Sequence, residues 1–101
     1  MSANLVLPQE SIQAFCERNQ IRKLALFGSV LGPRFRPESD VDVLVEFEPE
    51  ARVSLLALAR MERELAEIIG RKVDLRTPED LSRYFRQEVL DRAEVQYERT
   101  G

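Results

Sequence analysis

Between Val41 and Val45, valines alternate with Asp42 and Leu44. Side chains along a strand point to opposite faces in turn, so the valines must share one face and Asp42 and Leu44 the other. The valine face demands a hydrophobic core against it. A leucine on the second face implies cover there as well, which makes Asp42 a poor candidate for a purely solvated position. Glu48 and Pro49 end this strand.

The remaining elements follow from similar patterns. Leu24-Ala25-Leu26-Phe27 is a short continuous apolar run that stops at Gly28, as a strand buried on both faces would. Residues 8–18 place Ile12, Phe15 and Cys16 at helical spacing, with Pro8 suited to a first turn and Asn19 to an exit. Residues 28–39 contain Gly32, Pro33 and Pro37 with Arg34 and Arg36 between them, which predicts a turn, a short helix and a loop. Over residues 53–69 the positions Leu55, Leu58, Met61, Leu65, Ile68 and Ile69 recur at steps near three or four, and Gly70 suits a C-terminal cap. Residues 71–75 read as a brief third strand. Thr77-Pro78-Glu79-Asp80 combines an N-cap, a first-turn proline and acidic residues, predicting a final helix that begins there. The order helix, strand, strand, helix, strand, helix predicts an α/β (α+β) fold, a small mixed β-sheet with helices packed against it. A length of 101 residues, without repeat or linker, leads to the expectation of one domain over residues 1–101.

Composition narrows the chemistry. Histidine is absent, so a Ser-His-Asp triad, a Cys-His pair and a histidine zinc site are excluded, and carboxylates must carry any reaction. The lone cysteine, Cys16, excludes an internal disulfide and lies four residues after Ile12, where it reads as core packing. A hydrophobic share of 44% with 33% charged residues describes a folded globular chain. The net charge of -3 argues against a broad electrostatic grip on nucleic acid, so direct nucleic-acid binding is not expected. No signal pattern or membrane-length apolar run is present, and a cytoplasmic location is the default expectation, with no membrane partner.

Asp40 and Asp42 are two apart, so their carboxylates project from the same strand face. Two anions roughly 6 Å apart repel by about 2–3 kcal/mol at an effective dielectric near 20, and a divalent cation between them reverses the sign. Magnesium suits such a pair, because it takes oxygen ligands and binds one or two carboxylates together with substrate phosphate. The bland alternative has Ser39-Asp40 capping a turn. Gly28-Ser29, directly after the first strand, offers a phosphate cradle: glycine lets a phosphate approach the main chain, and serine supplies an N–H and a hydroxyl. An ordinary strand-ending turn is its alternative reading.

The ordered set of strand, Gly28-Ser29, ten intervening residues, Asp40, one residue, Asp42 and a hydrophobic strand resembles the polymerase-beta-like nucleotidyltransferase superfamily. Within it, the short chain and the phrases Phe27-Gly28-Ser29-Val30 and Arg36-Pro37-Glu38-Ser39-Asp40-Val41-Asp42-Val43-Leu44-Val45 look like the minimal nucleotidyltransferases. The resemblance implies a nucleotidyltransferase fold, Gly28 and Ser29 on a triphosphate, and Asp40 and Asp42 as metal ligands. It further implies a third acid on a later strand, for which Asp74 between Val73 and Leu75 is the well-placed residue. Asp74 otherwise reads as a polar residue on the exposed side of an edge strand. The loop after Ser29 departs from the family, with Gly32-Pro33 where many members carry an arginine. Arg34 or Arg36 either substitutes on the triphosphate or is a solvent-facing loop charge.

By resemblance, the expected activity is magnesium-dependent transfer of AMP from ATP, with two ions, to a hydroxyl of a partner protein. The implied partner is a HEPN-type ribonuclease toxin modified on a tyrosine, with this chain as antitoxin. The competing reading is a catalytically vestigial module that neutralises a toxin by covering it. Transfer to RNA ends is disfavoured by size and charge. The C-terminal residues Tyr84, Phe85, Val89, Leu90, Val95 and Tyr97 exceed the needs of one helix stripe. Core packing accounts for most of them, and a homo-oligomer or partner surface is the other option.

Overall fold

The computed structural model describes residues 5–99. A four-stranded mixed sheet, in the order β3-β2-β1-β4, is built from β1 (Ile21–Phe27), β2 (Val41–Phe47), β3 (Val73–Arg76) and β4 (Glu94–Glu98). β1 runs antiparallel to both β2 and β4, while β2 and β3 are parallel. Parallel neighbours need a crossover connection, which is helix α2 (Leu55–Ile69). Helix α1 (Gln9–Arg18) precedes the sheet and α3 (Arg86–Arg92) leads into β4.

The valine prediction holds. Val41, Val43 and Val45 are fully buried and join Leu24, Leu26 and Val73 beneath Ile12, Phe15 and Cys16 of α1 and Met61 and Leu65 of α2. Leu44 and its register partner Ala25 are buried on the second face, so cover does exist over the face that carries Asp42. Burial pushes the Cys16 thiol up to about 12, with the Glu17 charge adding to it, which leaves the sulfur an inert packing group.

Both long helices carry the ends anticipated for them. The Asn19 side chain and backbone N–H both donate to the Phe15 carbonyl oxygen, closing α1. Ser54 Oγ accepts from the Ala57 N–H at 3.1 Å to open α2, and Gly70, at φ 77°, closes it in the left-handed conformation that favours glycine. Leu55, however, does not reach the core; it is 84% exposed. At about 100° per residue, steps of three fall short of a full turn. The row that starts at Leu55 and passes Leu58 to Met61 therefore winds round the helix and puts Leu55 about 120° from Met61.

The C-terminal part corrects the single final helix. The capping box forms, with Thr77 N–H and Oγ1 both donating to Asp80 Oδ2. Only one 3-10 turn follows it, Pro78–Asp80, and Leu81 returns to extended backbone. The Arg86 guanidinium braces this break, donating to Pro78 O, which also accepts the Leu81 N–H, at 2.7 Å and to Leu81 O at 3.1 Å. After the short α3 the chain forms β4, whose Tyr97 packs on the core while Val95 stays largely exposed. No helix among the described residues is long and apolar enough to cross a membrane.

Leu65→Ala is expected to cost about 2–5 kcal/mol in equilibrium urea unfolding, because it empties a fully buried site. Leu55→Ala should stay within about 0.5 kcal/mol of the parent protein. Comparable losses at the two positions would mean that α2 presents a different face to the sheet.

Candidate active site

Strand register brings two of the three anticipated acids together. β1 ends at Phe27, whose partner on β2 is Asp42, and Asp42 is in turn paired with Asp74 on β3. Side chains at paired positions share a face, and neighbouring strands lie about 4.8 Å apart, so the Asp42 and Asp74 carboxylates are neighbours. Asp40 precedes β2 by one residue and is exposed, while Asp42 and Asp74 are half-buried. The closest electrostatic partner of Asp42 is thus Asp74 across the sheet, ahead of Asp40 along the chain.

Asp42 also meets the turn after β1. Gly28 adopts φ 77°, and a Cβ added there would lie 2.2 Å from Asp42 Oδ2. Glycine is required twice over, by the backbone angle and by the carboxylate against it. The next residue, Ser29, donates its backbone N–H to the Asp42 carboxylate. Gly28–Leu31 form a single 3-10 turn held from below by the buried Val30. The Asp42 carboxyl lies above the usual aspartate range. Burial is the main cause, followed by the charge of Asp74; the Ser29 hydrogen bond opposes these, Asp40 adds to them and Arg76 subtracts.

Two arginines that sequence reasoning passed over organise the acids. Arg76, two residues beyond Asp74 on the same strand face, grips its carboxylate with Nε to Oδ1 at 3.2 Å and Nη2 to Oδ2 at 3.2 Å. Both groups are partly exposed, and such a pair contributes about 0–1 kcal/mol, so it opens readily. Arg71 donates from Nη2 to the carbonyl oxygens of Arg36 at 2.6 Å and Ser39 at 3.1 Å, and its guanidinium lies 4.5 Å from the Phe35 ring centre. Ser39 Oγ accepts from the Arg36 N–H, and Val41 N–H donates to Lys72 O. The residues on either side of Asp40 are therefore tied to Arg71 and Lys72, just ahead of β3. Asp74-x-Arg76 was readable as an i, i+2 pair, but no local pattern marks Arg71 as the clamp of a loop 32 residues earlier.

Arg34 and Arg36 are exposed, and neither guanidinium pairs with Asp40, Asp42 or Asp74. Among the described residues no group of three or more acidic, cysteine or histidine side chains is placed so that it could hold a metal ion, so Asp40, Asp42 and Asp74 do not form a ready three-carboxylate site. The Asp42 and Asp74 pair nevertheless suits magnesium in its donor chemistry. It provides oxygen ligands only, and burial together with the neighbouring anions raises the proton affinity of Asp42, a cost that a bound cation would offset. Magnesium bound by one or two carboxylates draws its other ligands from water and phosphate.

Comparisons with known proteins agree with this geometry. A family model described as a nucleotidyltransferase domain matches residues 9–95. A protein of Methanocaldococcus jannaschii, named as a candidate protein adenylyltransferase, is 33% identical over 76 residues, covering 75% of this chain and 80% of its own length. The protein adenylyltransferase MntA of Thermococcus cleftensis is 39% identical over 59 residues, 58% of each chain, so that match spans less than two thirds of the relative. The fold superposes on a solved structure described as a tri-AMPylated Shewanella oneidensis HEPN toxin in complex with an MNT antitoxin. There the TM-score is 0.64 at 20% identity, over 90% of this chain and 70% of that one. The chain belongs to the nucleotidyltransferase domain family and is a nucleotidyltransferase of the minimal, MNT-like kind.

Proposed function

We propose that this chain transfers AMP from Mg-ATP to a hydroxyl of a partner protein, a tyrosine on a HEPN-type toxin, and so acts as its antitoxin. The observation that carries the chemical part is the junction at Asp42, where a carboxylate in contact with a side-chain-free turn faces a second carboxylate across the sheet. The acceptor and partner rest on what the relatives and the structural neighbour are named for.

In this reading Asp40, Asp42 and Asp74 would hold magnesium, two ions in the full form, and bound there it would neutralise charge on the reacting phosphates. Gly28 and Ser29 let the triphosphate approach the main chain, with the Ser29 hydroxyl as a donor. Asp74, released from Arg76, orients the acceptor hydroxyl and takes its proton. The hydroxyl oxygen bonds to the α-phosphorus, the bond from that phosphorus to the bridging oxygen breaks, and pyrophosphate leaves. Arg34 and Arg36, exposed on the loop before Asp40, are free to swing onto the departing phosphates.

The direct test incubates the protein with magnesium, ATP and the product of the gene adjacent to its own, and reads added AMP by intact-protein mass spectrometry. A correctly folded protein that modifies no partner but binds it tightly, and binds no Mg-ATP, would replace this reading with that of a vestigial covering module.

Asp42→Asn is expected to slow transfer by about 100-fold or more, the scale of losing one electrostatic group at a reacting centre. It should also stabilise the metal-free protein. The native pKa of Asp42 is raised, so the stability associated with its protonated form is complete below the unfolded value, about 3.9, and fades as pH climbs through the native value. Urea titrations of metal-free protein should show this loss in the parent and not in Asp42→Asn, and magnesium should restore stability to the parent alone. A variant less stable than the parent at neutral pH would contradict the electrostatic account.

Gly28→Ala should abolish detectable transfer and destabilise the protein by about 1–3 kcal/mol, because the added methyl must displace the Asp42 carboxylate at a strained backbone angle. Retention of parental activity would show that the turn does not shape the site.

A further inference from the structure

Asp74 and Arg76 stand two residues apart on β3, so their side chains leave the same face of the sheet. Asp42 shares that face, level with Asp74, while Arg76 is level with Leu44. The Arg76 guanidinium reaches back along the strand and spans both Asp74 oxygens, Nε to Oδ1 and Nη2 to Oδ2, each at 3.2 Å. A positive charge therefore rests on one of the carboxylates that the transfer chemistry described above assigns to magnesium. The strand does not need this contact to form. β3 is held by its parallel pairing with β2, and the Leu75 N–H donates to Glu62 Oε2 of α2 at 2.8 Å. Stability does not account for the contact either, because an ion pair whose side chains are 47% and 36% exposed contributes little.

We propose that Arg76 is a positioning residue for the acid site, a latch that holds Asp74 in the resting protein and lets go before a magnesium ion joins Asp74 to Asp42. The proposal deepens the nucleotide-transfer reading and rests on it. A carboxylate gripped through both oxygens by one guanidinium shows a cation to anything that approaches from that side. A dication and a guanidinium repel each other, so occupancy of Asp74 by one disfavours the other. The described residues agree with such a resting state: the three acids are not gathered around one point, and Asp74 is the one held by another side chain. Arg76 also does for the metal-free chain what the ion would do when bound, since its charge offsets part of the load that Asp74 places on Asp42. Release leaves the arginine a second anion. Asp80, whose carboxylate is fixed by the Thr77 N–H and Oγ1, already acts on Arg76 through its charge. Because the pair is half in water, the latch weakens ion binding without abolishing it.

Two measurements on the full chain test the latch, both made with magnesium chloride and no nucleotide. Calorimetry compares the parent with Arg76→Lys, which keeps the charge but cannot span two oxygens. The variant should bind magnesium about two- to five-fold tighter, the range that an exposed ion pair controls. The second measurement follows the Nε–H resonance of Arg76 by ¹⁵N NMR, identified by its absence from the Arg76→Lys spectrum. This signal reports the contact itself, and it should move during the magnesium titration with the midpoint found by calorimetry. Unchanged affinity in Arg76→Lys, or an Arg76 signal that stays in place at magnesium saturation, would overturn the latch and leave the acid site standing. If parent and variant both fail to bind magnesium, the metal site of the nucleotide-transfer reading has failed and the latch falls with it.

Discussion

The contact on which this structure turns is that of Asp42 with the turn after β1. An aspartate brought against Gly28 and Ser29 by antiparallel pairing is already close to one backbone, and parallel pairing with β3 brings a second carboxylate to its other side. Each neighbour tolerates Asp42 for a different reason. Gly28 has no side chain to collide with it, and Ser29 offers an N–H to it. Asp74 repels it, and Arg76 offsets part of that repulsion through its grip on Asp74. The result is a partly buried anion under electrostatic tension at a strand end, a state folded proteins keep when the tension serves binding or chemistry.

The rest of the architecture holds that junction still. The valines of β2 are locked into the core beneath α1 and α2, so the second face cannot rotate away. The crossover through α2 returns the chain beside β2 in parallel, in a register that puts Asp74 level with Asp42. Arg71, just beyond the α2 cap, then reaches back to the carbonyls of Arg36 and Ser39 and anchors the approach to Asp40. A single arginine thus couples the end of the crossover to the loop that carries an acid of the site. Its stacking on Phe35 limits the freedom of a long side chain, and with it the entropy lost in making those hydrogen bonds.

Relatives named as protein adenylyltransferases and the acid-lined strand ends converge on nucleotide transfer from independent directions. The family match covers the residues from α1 into β4, so it takes in the later elements, α3 included. The C-terminal part is where the chain departs most from simple expectation. A helix start is written at Thr77, yet the helix stops after one turn, where Leu81 turns extended and Arg86 bonds the Pro78 and Leu81 carbonyls. That interruption leaves Phe85 exposed at the rim of a cavity instead of buried in a longer helix.

What the sequence determined by itself were the features that depend on near neighbours. The alternation at Val41 to Val45 set the faces of β2, the apolar run before Gly28 marked β1 though not its start at Ile21, and Gly70 marked the end of α2, while the Ser54 cap at its start emerged only in the structure. Asp40, Asp42, Gly28 and Ser29 stood out as candidates because that reading rests on spacing along the chain, and the fold sets Asp42 against Gly28 and Ser29. Register and long-range reach belonged to tertiary structure. That Asp42 presses on Asp74 more than on Asp40, that Leu55 points to solvent, that Arg71 clamps a distant loop and that Val95 and Tyr97 lie on a fourth strand all depend on which segments meet. Local pattern constrains the direction of a side chain, but the identity of its neighbour is decided by pairing between segments far apart in sequence, and those contacts leave no periodic trace in either segment alone.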